Sequence, residues 1–171
     1  MAHSDLPDSY DKGFLHCDLL IIGAGPAGLA AALTAGESGA QVILADEDFL
    51  IGGRLNSDSG TLADESGVTW AVETMARLQA MPNVRVMPRS TVIGAFDHGI
   101  YGMVERVSDH LAQPAPGKPR QILWRVYSKR AILAAGATER PIVFENNDRP
   151  GIMLASALRS YANRCAESLG V

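Results

Sequence analysis

Three short stretches carry residue types whose spacing suits the binding of a diphosphate-linked nucleotide. Gly23-Ala24-Gly25-Pro26-Ala27-Gly28 is a G-x-G-x-x-G pattern. Its first glycine permits a tight turn, its second lets backbone approach a pyrophosphate, and its third lets a helix pack closely on a strand. A diphosphate there meets free N–H groups and the positive end of the helix dipole. Asp46 follows at about the 20-residue interval where an acid accepts hydrogen bonds from adenosine ribose hydroxyls. Glu47 and Asp48 come directly after it, so the ribose contact falls on one of three acids. A carboxylate at that place repels a ribose 2′-phosphate, which points to NAD or FAD and away from NADP. Gly52-Gly53-Arg54 can bring backbone amides and one guanidinium to the same diphosphate. Ala134-Ala135-Gly136-Ala137 is expected at the same crevice, because ligands lie outside the carboxyl ends of parallel strands.

Each stretch also has a plainer reading. The glycines could form only a tight strand-to-helix turn, and Asp46 could be a solvated acid at a strand end. The Gly-Gly-Arg segment could be a flexible loop, and Ala135 and Gly136 could serve packing alone. Groups for proton transfer or nucleophilic attack are scarce. His3, His16, His98 and His110 are scattered without metal-ligand spacing. Cys17 precedes an aliphatic run and Cys165 falls near a helix end, so both read as structural thiols. Asp97-His98-Gly99 reads as turn chemistry. No catalytic residue and no metal site is expected.

The elements that must position these residues follow from hydrophobic pattern. Cys17 to Ile22 predicts a buried parallel strand, Pro26 to Ser38 a helix stopped by Gly39, and Gln41 to Asp46 a second strand. Together they make a right-handed strand-helix-strand unit. The segment from Phe49 to Gly67 predicts a long functional loop. Val68 to Ala80 predicts a second helix, with Val84 to Met87 and Ser90 to Phe96 as strands after it. Tyr101 to Val107, Ile122 to Val126 and Arg130 to Ala135 are further strands, and Ile152 to Arg164 a last helix burying Leu154, Ala157, Leu158 and Tyr161. The fold class is therefore α/β: a Rossmann-like FAD/NAD(P)-binding domain with a parallel sheet and an inserted antiparallel β-meander. Its expected division is a linker over 1–16, the first part of the dinucleotide-binding domain over 17–151, and a helix over 152–171 leading toward a further part.

Composition narrows the class. The charge is −4, with 15 basic and 19 acidic residues and no basic block, which excludes the footprint of a nucleic-acid or anionic-membrane binder. The uncharged run from Leu19 to Gly36 has the length of a membrane span, about 18 residues. Gly23, Gly25, Pro26 and Gly28 would break such a helix at its start. Residues 1–13 lack the basic start and apolar stretch of a secretory signal, and two cysteines make no disulfide scaffold. A reducing, cytoplasmic setting is expected.

Several stretches together resemble the alpha subunit of heterotetrameric sarcosine oxidase. They include Tyr10-Asp11-Lys12-Gly13-Phe14-Leu15-His16-Cys17-Asp18, Ala45-Asp46-Glu47-Asp48 and Gly52-Gly53-Arg54-Leu55. Glu105-Arg106-Val107-Ser108-Asp109-His110-Leu111 belongs with them, and the run from Glu139-Arg140-Pro141 to Asn146-Asn147-Asp148-Arg149-Pro150-Gly151 is the more particular one. The resemblance implies a cytoplasmic complex with beta, gamma and delta subunits that demethylates sarcosine to glycine, forming hydrogen peroxide and methylene-tetrahydrofolate. It implies that this segment holds NAD through Gly23, Gly25, Gly28 and Asp46. FAD and the oxidation site would belong to the beta subunit, with FMN at the alpha/beta interface and tetrahydrofolate and sarcosine bound elsewhere. It also implies that the chain is a fragment of a longer polypeptide and inactive alone, its chemistry lying on another chain. Two other readings stay open: a subunit of an FAD-linked opine or amine dehydrogenase, and an assembly module whose nucleotide never reacts.

Overall fold

A computed structural model describes residues 8–62, 64–113 and 116–165. Eight strands and three α-helices follow one another in these residues. In order they are β1 (Tyr10–Ile22), α1 (Pro26–Glu37), β2 (Val42–Ala45), β3 (Thr61–Leu62), β4 (Glu65–Ser66), α2 (Gly67–Gln79), β5 (Val84–Met87), β6 (Ser90–Phe96), β7 (Ile100–Arg106), β8 (Gln121–Leu133) and α3 (Ala155–Arg159). A 3₁₀ turn spans Gly53–Asn56, and a π-helical turn, Ser160–Arg164, continues α3. Six strands form one sheet in the order β5-β2-β1-β8-β7-β6, while β3 and β4 make a separate hairpin.

The parallel part is β5, β2, β1 and β8. Alternation along β2 explains how its four buried residues divide between two faces. Val42 and Leu44 join Ile21, Leu29, Ala32, Ala71 and Leu78 under α1 and α2. Ile43 and Ala45 face the other way, with Cys17, Leu20, Met87, Met103 and Val126. The antiparallel strands thus contribute to the core on the face away from these helices. Asn83 locks α1 to the sheet: its Nδ2 donates to the Gly36 carbonyl at 2.9 Å and to the Ala40 carbonyl at 2.7 Å. Ser66 caps α2 by accepting the Thr69 N–H at 3.1 Å.

Several expectations change. The first strand begins at Tyr10, so residues 10–16, read as linker, are strand paired with β8 from Tyr10↔Gln121 to Cys17↔Ser128. The two strands expected over 122–126 and 130–135 are one, because β1 supplies a partner along nearly the whole length and holds the polar Tyr127-Ser128-Lys129-Arg130 stretch extended. Lys129 meets Asp18 at 2.6 Å across that pair. The meander is β6-β7-β8, with β8 also serving as a parallel strand; Val84–Met87 is parallel to β2 and lies outside it. The last helix is shorter than expected, and it buries none of the apolar residues assigned to it, with Leu158 and Tyr161 exposed. The linker expected over 1–7 and the helix expected over 166–171 lie outside the described residues.

Candidate functional site

Strands β1, β2 and β8 run parallel and end at Ile22, Ala45 and Leu133, so the loops that leave them meet above one sheet edge. Between these loops lies a crevice of about 600 Å³. Gly23, Gly25, Pro26 and Ala27 line it from the first loop, and Asp46, Glu47 and Asp48 from the second. Gly53 and Arg54 come from the 3₁₀ turn, and Ala135 and Gly136 from the segment after β8. The structure therefore gathers four stretches whose ends the sequence separates by more than a hundred positions.

The three motif glycines meet different demands. A Cβ on Gly28 would lie 1.8 Å from the Gly23 carbonyl oxygen, and one on Gly23, at φ +102°, 2.5 Å from the Ala134 carbonyl oxygen. Packing alone excludes side chains there. At Gly25 a Cβ would meet nothing within 4 Å, and its backbone, φ −72° and ψ −174°, suits any residue. Neither the turn nor the core accounts for glycine at that position. Ala24 and Gly28 are buried and frame the crevice without lining it.

Asp46 has a structural task as well as its place in the crevice. Its Oδ2 accepts the Ala24 N–H at 2.5 Å and its Oδ1 the Asp48 N–H at 2.8 Å. Each carboxylate oxygen keeps a further lone pair for a ribose hydroxyl. The Ala24 carbonyl in turn accepts the Gly52 N–H at 3.0 Å, which docks the second glycine pair on the first. A Cβ on Gly53 would stand 2.9 Å from Gly25 Cα. The three acids separate by environment. Glu47 is exposed and its carbonyl accepts from Arg106. Asp48 binds Arg164 at 2.7 Å, and although partial burial pushes its carboxyl up, the Arg164 guanidinium and the N–H groups of Leu50 and Phe49 carry it below the usual range. Asp46 has no competing cation among the described ion pairs.

Beyond the expected residues, Ser90, Thr91 and Val92 at the start of β6 also line the crevice. No local signal marks them, because their place depends on β5 lying next to β2 in the sheet. Burial pushes the Cys17 thiol up, consistent with a structural role, whereas Cys165 is exposed just after the π-helical turn. Asp97-His98-Gly99 is a 3₁₀ turn with His98 at φ +59°. Among the described residues no cluster of metal-ligating side chains occurs, and no helix is long and apolar enough to cross a membrane.

A strand-turn-helix with this glycine spacing, an acid at the end of the second strand and a crevice at the carboxyl ends define a dinucleotide-binding oxidoreductase domain. The family model described as FAD dependent oxidoreductase matches residues 18–120, and the chain belongs to that family. Within it the chain is a homologue of sarcosine oxidase alpha subunits. It is 52% identical over 158 residues to the alpha subunit of sarcosine oxidase from Rhizobium meliloti (strain 1021), covering 92% of this chain and 16% of that protein. The A subunit of opine oxidase from Agrobacterium tumefaciens (strain Ach5) is more distant, 31% identical over 90% of this chain and 29% of its own length. Among solved structures, L-proline dehydrogenase from P. horikoshii superposes with a TM-score of 0.70 at 25% identity, over 91% of this chain and 29% of that one. The resemblance read from the sequence and the α/β dinucleotide-binding fold class are both borne out.

Proposed function

We propose that this chain holds the adenosine diphosphate half of a dinucleotide in the crevice, as the nucleotide-binding part of an alpha subunit serving sarcosine oxidation. Gly25 carries the reading. Two motif glycines are explained by packing, whereas the third faces open space at the mouth of α1, where a side chain would stand between a diphosphate and the helix end. The N–H group of Ala27 in the first helical turn, with the backbone of Gly53 and the Arg54 guanidinium, would hold the diphosphate. Asp46 would accept the ribose hydroxyls, and Ala135 and Gly136 would border the chain of the dinucleotide beyond. When bound, the nucleotide supplies a ring that accepts or donates a hydride.

NAD is the occupant we propose from the likeness to sarcosine oxidase alpha subunits, with FAD, the cofactor named by the family, as the alternative. Among the described residues the titratable groups lining the crevice are Asp46, Glu47, Asp48 and Arg54, all on the two segments proposed to meet the ribose and diphosphate. That supports placing the oxidation of sarcosine, with its FAD, FMN and tetrahydrofolate, on other parts of a cytoplasmic complex with beta, gamma and delta subunits. Mass identification of the nucleotide released from the native protein tests the assignment. NAD is expected; flavin without NAD overturns that choice, and no nucleotide overturns the site. The same grouping of charges favours a second reading, a nucleotide that stabilises assembly without reacting. Loss of turnover in Gly25→Val with assembly intact would refute it.

A further inference from the structure

The 3₁₀ turn that presents Arg54 to the crevice is followed closely by Asp58, and that carboxylate faces two guanidiniums. Its Oδ2 lies 3.7 Å from Arg54 Nε, and its Oδ1 lies 2.8 Å from an Arg159 terminal nitrogen in α3. Arg159 does not line the crevice; Arg54 does, and its side chain is 65% exposed. The shorter contact, and the one that meets hydrogen-bond geometry, belongs to Arg159. We infer that Arg159 is a positioning residue for the nucleotide site: by occupying Asp58 it leaves Arg54 available to the diphosphate. This rests on the reading of the crevice as a dinucleotide site and goes beyond it by naming a residue outside the crevice that sets affinity.

The physical reason is competition for one cation. Asp58 and a diphosphate both attract the Arg54 guanidinium, and charge-assisted pairing with a carboxylate is about as favourable as with a phosphate oxygen. With Arg159 in place, Asp58 already has its charge partner, so releasing Arg54 leaves no uncompensated carboxylate. Without Arg159, Asp58 draws Arg54 away from the crevice. Glu139 ties the start of α3 to the segment after β8 by accepting the Ser156 N–H at 3.0 Å, and Ser156, then the charges of Arg159 and Arg54, hold its carboxyl below the usual range. Asn163 reinforces the docking of the terminal turns by donating to the Ser57 carbonyl at 2.8 Å.

Equilibrium dialysis of the full-length protein, freed of its nucleotide, against labelled ADP tests this, since ADP is the half shared by NAD and FAD. Arg159→Ala should weaken ADP about 5- to 10-fold, and adding Asp58→Asn should restore it to within about 2-fold, on the scale of one net hydrogen bond at an exposed side chain. Unchanged affinity in Arg159→Ala overturns the inference, as does a loss that Asp58→Asn leaves uncorrected, which is the mark of a purely structural role. Asp58→Asn alone, which leaves Arg159 and α3 unaltered in sequence, should bind ADP as tightly as the parent or tighter by about 2-fold; weaker binding overturns the inference. Failure of the parent protein to bind ADP overturns the crevice reading itself and the inference with it.

Discussion

Single atoms decide which glycine does what. Gly28→Ala places a methyl 1.8 Å from the Gly23 carbonyl oxygen, a clash with backbone that no rotamer relieves. It should cost about 3 kcal/mol or more, read as a shift in denaturation midpoint. Gly25→Val meets no atom within 4 Å at its Cβ and should cost about 1 kcal/mol or less, chiefly from a poorer helix cap. Its nucleotide affinity should nevertheless fall at least about 10-fold, because the side chain fills the space before the helix end. Stability and affinity thus move in opposite order in the two variants, and a thermal melt beside a nucleotide titration reads both. The pattern of glycines was legible in the sequence. So was the expected division of their roles; the contact that excludes a side chain at Gly23 was not, since it depends on the Ala134 carbonyl arriving from over a hundred residues away.

At the level of elements, two joints can be tested. Asn83 between α2 and β5 donates to two carbonyls at the end of α1, so Asn83→Ala should lower stability by about 1–3 kcal/mol while leaving the crevice intact. The second joint is Asp48 with Arg164. The folded carboxyl lies below its ordinary value, so its contribution is present above the unfolded pKa and is lost as pH falls through the folded one. Amide hydrogen exchange over residues 155–165, corrected for its intrinsic pH dependence, should therefore accelerate on acidification below the usual carboxylate range, and Arg164→Ala should show the fast exchange already at neutral pH. Strand and helix existence was largely readable, because aliphatic runs and Gly stops are local signals. The boundaries that moved had non-local causes: Tyr10 to His16 and Tyr127 to Arg130 are polar in part, and pairing with a distant strand, the first on Gln121 to Tyr127 and the second on His16 to Leu19, makes them strand. The terminal helix was expected to bury an apolar face, yet its attachments are the polar side chains of Arg159, Asn163 and Arg164.

For the molecule as a whole, several apolar side chains late in the chain meet solvent. Ile142 and Val143 are 80% and 88% exposed, and Leu133, Ile152 and Met153 are exposed with them. Expressed by itself, this chain should self-associate, seen as concentration-dependent sedimentation, and Ile142→Asp with Val143→Asp should reduce that association without lowering the denaturation midpoint. The chain spans 16% of the sarcosine oxidase relative, so this is a test of the segment and not of a complex. The amino-acid order by itself determined the strand-helix-strand unit, the glycine turn and the acid after it, because each depends on neighbours within about 30 residues. Only the tertiary structure decided that Ser90 to Val92 share the crevice, that β8 is one strand joining the parallel and antiparallel halves of the sheet, and that Asp58 stands between Arg54 and Arg159. Those arrangements come from long-range pairing and from the crossing of parallel strands, whose partners hydrophobic periodicity does not name.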